Sequence, residues 1–213
     1  MKKLFTLLAL TISFSMNAQW SYNSTSTGIQ SSTNNASGAR AIAMGGYTTA
    51  SGDYTTAMGR YTTASGNRAT AMGGNTTASG IYSTAMGYDT TASGWYSTAM
   101  GYDTTASGDS STAMGDFTTA SGYSSTAMGY NTTASGVNST SMGSSTTASD
   151  YASLVIGQFN SSGSSVTSAG SFSTSAPAFV IGNGTGSSNK SDAFKVMFNG
   201  DTTVSNDLTV SGD

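Results

Sequence analysis

The sequence predicts an all-β fold, a parallel β-roll (β-solenoid) of 14 residues per coil. Three observations carry this. First, the triplet Ala-Met-Gly recurs at a fixed step, starting at Ala43, Ala57, Ala71, Ala85, Ala99, Ala113 and Ala127, then drifting to Ser141-Met142-Gly143 and Val155-Ile156-Gly157. Second, Ala-Ser-Gly keeps the same step from Ala36 to Ala134 and becomes Ala148-Ser149-Asp150. An unslipped period of this kind is the mark of stacked coils. Third, each half of the unit is rich in Thr and Ser and ends in Gly. Thr and Ser suit a pleated, half-exposed strand, whereas one Gly per half-unit would cost a helix about 1 kcal/mol each time.

Residues 90–103, Thr-Thr-Ala-Ser-Gly-Trp-Tyr-Ser-Thr-Ala-Met-Gly-Tyr-Asp, form one clean copy. Each half reads as about five extended residues ending in Gly, then two variable residues. The Gly is expected to supply the positive φ of a corner. Parallel pairing stacks coils ~4.8 Å apart, so the array would make a rod of roughly 43 Å. Side chains alternate across a strand. Ser97 and Ala99 therefore share one face, Thr98 and Met100 the other; Thr90 and Ala92 share one face, Thr91 and Ser93 the other. A 14-residue coil is thin, so the Ala parity is placed inside. Met44, Met58, Met72, Met86, Met100, Met114, Met128 and Met142 then form an outer row, continued by Leu154 and Ile156. A continuous apolar row of this sort marks an interface between chains. The rival arrangement puts Met inside and Ala outside, giving a monomeric rod.

The Ser-x-Ala-x-Gly motif at this step, as in Ser83-Thr84-Ala85-Met86-Gly87, resembles the head repeats of YadA-type trimeric autotransporter adhesins. The resemblance covers residues 36–157. It implies a left-handed roll and a homotrimer whose x positions, here Thr and Met, face the axis. The chain departs from that family in two respects. Met stands where a branched aliphatic residue is usual, and no coiled-coil stalk or membrane barrel follows in the sequence.

Residues 1–18 read as a signal peptide: Lys2 and Lys3, an apolar run from Leu4 to Phe14, then Met16-Asn17-Ala18 before a cut at Gln19. About 195 residues then remain, enough for one elongated domain with a small appendage. The mature chain is expected to be exported, extracellular or on the cell's outer surface, with no membrane segment, since no later stretch approaches the roughly 20 apolar residues of a spanning helix. Residues 19–35 are expected to be a linker or N-terminal cap, with chance Asn-x-Ser/Thr triplets such as Asn23-Ser24-Thr25. The last coil, Ser153-Leu154-Val155-Ile156-Gly157, is atypical, as end coils of solenoids are. Residues 158–177 read as a Ser/Gly-rich connection ending at the only proline. Residues 178–213 read as a C-terminal β cap or neck-like segment, similar to the linkers of larger surface and fibre proteins. There Ala178-Phe179-Val180-Ile181-Gly182 echoes the last coil, and Asn199-Gly200 signals a hairpin returning through Thr202 to Val210.

Chemistry is sparse. His, Cys and Glu are absent, so triads, zinc sites, thiol chemistry and disulfides have no residues to build them. No enzyme activity, cofactor or metal is expected. Asp89 and Asp103 share a corner column one coil apart and read as solvated charges. Charged residues make up only 8%, and removing Lys2 and Lys3 takes the formal charge from −3 to −5, which disfavours nucleic acid as a partner. The variable corners concentrate aromatic groups. Ile81, Tyr82, Trp95 and Tyr96 stack at one corner, and Tyr88 and Tyr102 at the other, with Tyr130 further along. These are the candidate ligand-binding residues, because aromatic side chains anchor recognition surfaces. They would otherwise stack on each other or on a neighbouring subunit.

The leading functional expectation is a homotrimeric adhesin head that attaches to a host matrix protein, a glycan or another cell surface. A fragment of a fibre whose C-terminal trimerising or chaperone module is missing is one alternative. An ice-binding β-solenoid is the other, resting on the unbroken columns Thr49 to Thr147 and Ser51 to Ser149.

Overall fold

A computed structural model describes residues 21–22, 29–30 and 33–206. The signal-peptide reading of 1–18, the Asn23 triplet and the far end of the return strand lie outside these residues. The described chain is all-β, a parallel solenoid with a 14-residue coil and no helix. Each coil contributes one strand to each of two sheets, and these hold 14 and nine strands. The two strands of a coil are unequal, against the expectation of two five-residue segments. The Ala-Met-Gly half gives a five-residue strand, such as Thr98–Tyr102, and the Ala-Ser-Gly half gives only two residues, such as Thr91–Ala92. The reason lies in the backbone. The Ser93 and Gly94 amides both donate to the carbonyl of Ala106, at 2.9 and 3.3 Å, and sharing one acceptor turns the chain out of the ladder.

Register is in phase throughout: Met86 lies over Met100 and Met100 over Met114, while Ala92 lies over Ala106. The parity question is resolved in favour of Ala inside. Ala85, Ala99 and Ala113 on the long strands and Ala78, Ala92 and Ala106 on the short ones are fully buried, as are Thr90, Ser97 and Thr104 beside them. Met100 and Thr98 lie on the outer face of the long sheet, half-buried; Thr91 and Ser93 lie on the outer face of the short one. The lumen admits only small side chains because two sheets joined by two-residue corners lie close together.

The corners differ from expectation. The glycine of Ala-Met-Gly has the anticipated positive φ, +130° at Gly101. That of Ala-Ser-Gly does not; Gly is needed there for closeness. A Cβ on Gly94 would lie 2.0 Å from the carbonyl oxygen of Gly108. The left-handed residue of each corner is instead the second variable one, including Tyr54, Tyr82, Tyr96 and Phe117, with φ of 60°, 59°, 58° and 54°. For such residues this conformation costs on the order of 1–3 kcal/mol. An inter-coil hydrogen bond offsets it: the Tyr96 amide donates to Ile81 O at 2.9 Å, and the Tyr82 amide to Asn67 O at 2.9 Å.

Asparagine side chains add hydrogen bonds near both ends of the short sheet. At the start, Thr48 N–H donates to Asn34 Oδ1 and Asn34 Nδ2 donates to Gly45 O, both at 3.0 Å. At the finish, the Asn160 amide imitates a further strand, accepting from Thr147 N–H and donating to Thr147 O, both at 2.8 Å. Asp150 replaces the corner glycine at the last position of the Ala-Ser-Gly column, where the 159–176 loop rather than a further regular coil follows. Its carboxylate is buried and accepts the amides of Thr167 and Ser168 at 2.5 and 2.6 Å, pinning the 159–176 loop over the end.

The long sheet continues beyond this loop. Pro177–Asn183 pairs in parallel with Leu154–Gln158, with Val180 over Val155 in the lumen. Asp192–Met197 and Thr202–Val204 follow antiparallel, and the hairpin turn falls at Asn199-Gly200 with Gly200 at φ +93°. At the other end, Ile29–Gln30 pairs onto Ile42–Gly46 and with Ser21–Tyr22, so part of the expected linker is sheet.

Candidate functional site

The corners carry nearly all the variable chemistry, and they form two separate ridges on opposite edges of the coil. On the ridge after Ala-Ser-Gly, Tyr82 and Tyr96 stack at 5.1 Å between centroids and 8° between planes. Trp95 and Tyr96 are exposed and Ile81 is half-buried. On the ridge after Ala-Met-Gly, Tyr88 and Tyr102 stack at 5.5 Å and 9°, and Phe117 meets the edges of both Tyr102 and Tyr130. The six sequence-derived residues are therefore adjacent within each ridge but do not form one site. Much of each tyrosine face is turned to another ring, which leaves rims and hydroxyls toward solvent.

The same corner column runs Asp53-Tyr54 and Asn67-Arg68 before Ile81-Tyr82 in the sequence; what sequence reasoning missed is Arg40, one further 14-residue step back, and the contacts between the arginines and the rings. The Arg40 guanidinium lies 5.2 Å from the Tyr54 centroid; that of Arg68 lies between Tyr54 and Tyr82, at 5.6 and 5.0 Å. Across the rod, Arg60 covers Tyr61 at 4.7 Å, and Tyr61 stacks on Tyr47.

The acidic corner residues have structural work. Asp53 accepts the amide of Ala39 and Asp109 that of Trp95, at 2.9 and 2.8 Å. Asp89 accepts from Asn75 Nδ2 at 2.7 Å and, like Asp103, is an exposed left-handed corner residue. Among the described residues no group of three or more acidic, His or Cys side chains is placed to hold a metal ion, and no helix is long and apolar enough to cross a membrane. Near the C-terminal hairpin, a cleft of about 370 Å³ is lined by Ser161, Ser162, Lys190, Asp192 and Lys195, where Asp192 accepts the amides of both serines.

The Met row is straight and outward. Met86, Met100 and Met114 pair in register with half-buried side chains, and Leu154 and Ile156 extend the face to Phe179 and Ile181.

The described coils thus form a rod of near-identical units with its variety confined to exposed corners and with one apolar wall, a repetitive structural scaffold. The model of the YadA head domain repeat matches residues 36–62, 64–90, 78–104, 92–118, 106–132, 120–146 and 134–160. The chain belongs to the YadA head family, whose β-solenoids are structural rather than enzymatic. No curated protein sequence matches it.

Proposed function

We propose that the protein is the head of a cell-surface adhesin that works as a homotrimer, the outer faces of three long sheets meeting at a common axis and the corners facing the attachment target. The observation that carries this reading is the in-register row from Met44 to Met142, prolonged by Leu154 and Ile156. Burying a Met side chain contributes roughly 1.5–3 kcal/mol. A row of them therefore supplies ample driving force for assembly along the whole rod. Membership of the YadA head family supports both the trimer and the surface location. Light scattering tests it: a trimer at micromolar protein is expected, and Met86, Met100 and Met114 changed together to Asp dissociate it by desolvating charge at the axis. A wild-type chain that stays monomeric refutes it.

A second reading has one observation in its favour. With Ala inside, the columns Thr49 to Thr147 face outward in register on the short sheet. Hydroxyls then repeat every ~4.8 Å along the rod, an array that resembles the Thr ladders of ice-binding solenoids. Inhibition of ice recrystallisation that disappears when Thr77, Thr91 and Thr105 become Tyr supports this reading; no inhibition removes it.

A further inference from the structure

One feature of the first ridge is not explained by stacking alone. Arg40, Tyr54, Arg68, Tyr82 and Tyr96 are all left-handed corner residues, with φ of 57°, 60°, 60°, 59° and 58°. Their side chains therefore leave successive coils in the same direction. The result is an alternating ladder in which the Arg68 guanidinium is held between two tyrosine rings and Arg40 Nη1 donates to the Tyr54 hydroxyl. Ring faces hold a guanidinium by its flat side and leave its N–H edge free for an oxyanion. None of Arg40, Arg60 and Arg68 is in an ion pair among the described residues, and the carboxylate of that corner, Asp53, is turned to the Ala39 amide. Charge along the rod is uneven. Residues 36–68 carry those three arginines and one aspartate; residues 69–157 carry five aspartates and no lysine or arginine.

We propose that this ridge is the binding site for an acidic polysaccharide, whose carboxylate or sulfate groups are taken by the guanidinium edges of Arg40 and Arg68. A sugar ring further along the same chain lies against Trp95, an exposed indole next to Tyr96. Three physical points select this ligand. A neutral glycan would need free aromatic faces, and here Tyr54 has a guanidinium against it from each side and Tyr82 lies between Arg68 and Tyr96. A nucleic acid strand carries a charge about every 3.4 Å. The ridge offers a cation only every second coil, ~9.6 Å apart, which suits a polymer with one acid group per disaccharide. The aspartates further along the rod also repel a dense polyanion. Pre-set guanidiniums lose little rotamer freedom on binding, so a few contacts suffice for a multivalent surface protein.

The inference names a ligand class for the attachment reading and rests on it. Its test keeps the two apart by measuring oligomeric state in the same samples. Binding of the full chain to immobilised κ-carrageenan (one sulfate per disaccharide), hyaluronan (one carboxylate per disaccharide), dextran (uncharged) and single-stranded DNA is measured at low and physiological salt. Binding to κ-carrageenan, hyaluronan or both is expected, weakening with salt, and which of the two binds identifies the acid group. Arg40→Gln with Arg68→Gln lowers that affinity by about tenfold or more through loss of charge-assisted hydrogen bonds. Tyr54→Leu, which keeps both charges but removes the sandwich, lowers it less, and Arg60→Gln on the opposite ridge leaves it unchanged. Unaltered far-UV spectra and melting of the variants show that the coils persist. The proposal is overturned by no binding to either acidic glycan, by equal binding to dextran, by DNA binding as strong as glycan binding, or by indifference to the Arg40/Arg68 change. It is equally overturned if that change dissociates the assembly, because the ridge is then a contact between chains.

Discussion

Gly94→Ala, the addition of one methyl group, tests the stacking of coils most directly. The added Cβ would lie 2.0 Å from Gly108 O, 2.5 Å from Gly108 C and 2.9 Å from Asp109 N. All three are backbone atoms, so no rotamer change relieves the clash, and the two coils must separate at that corner. The bonds that join them there are Ser93 N–H and Gly94 N–H to Ala106 O, at 2.9 and 3.3 Å, and Ser110 N–H to Trp95 O at 2.7 Å. Losing two or three such bonds at a net ~0.5–1.5 kcal/mol each gives about 1–4.5 kcal/mol. That is a large share of a typical domain stability of 5–15 kcal/mol. Contacts in a solenoid are between neighbours only, so a defect at mid-rod also uncouples the coils on either side. Gly46→Ala is the internal control. Nothing lies within 4 Å of its Cβ position. That change is expected to be neutral or to stabilise by up to about 1 kcal/mol through the unfolded chain. Urea unfolding of both variants, with hydrogen exchange at Ser93, Gly94 and Ser110, gives the comparison. If Gly94→Ala and Gly46→Ala fall within about 0.5 kcal/mol of each other, the spread usual for innocuous substitutions, close coil approach is not what requires glycine in this column.

Two further outcomes follow from the ends and the lumen. Asp150→Ala removes the acceptor of the Thr167 and Ser168 amides; it is expected to destabilise by about 2–4 kcal/mol and to speed proteolysis within 159–176, and unchanged cleavage would show that the loop is held by other contacts. In the lumen, Thr132 Oγ1 is buried without a partner, whereas one coil on Ser141 Oγ meets Thr146 Oγ1 at 2.8 Å. Ala127→Ser recreates that pair and is expected to raise stability by about 0.5–1.5 kcal/mol; a lower urea midpoint would mean that the lumen has no room for the extra oxygen.

The solenoid itself was legible in the sequence because a stacked coil forces each residue to meet its equivalent 14 places away, as Met86 meets Met100. A repeat in space must then be a repeat in sequence. The hairpin at Asn199-Gly200 was legible for a local reason, a turn that needs its own residues. Parity was not settled by pattern, since alternation in Ser97-Thr98-Ala99-Met100 serves either face equally. Only the narrow gap between the two sheets decides it, by admitting Ala99 and Thr90 and excluding Met100. The left-handed corner residues were also hidden. Tyr82, Arg68 and Phe117 have no intrinsic reason to adopt that conformation, and the inter-coil bond of each amide, which offsets its cost, exists only once the coils are stacked. Asp150 shows the same dependence at the end of the array. In sequence it is a lapse from Ala-Ser-Gly, whereas in the fold it stands at the end of the regular array, where its side chain ties down the closing loop. The aromatic columns could be read from the repeat. That Arg68 lies between Tyr54 and Tyr82 was decided by the tertiary structure, because the direction of each side chain is set by the corner's backbone.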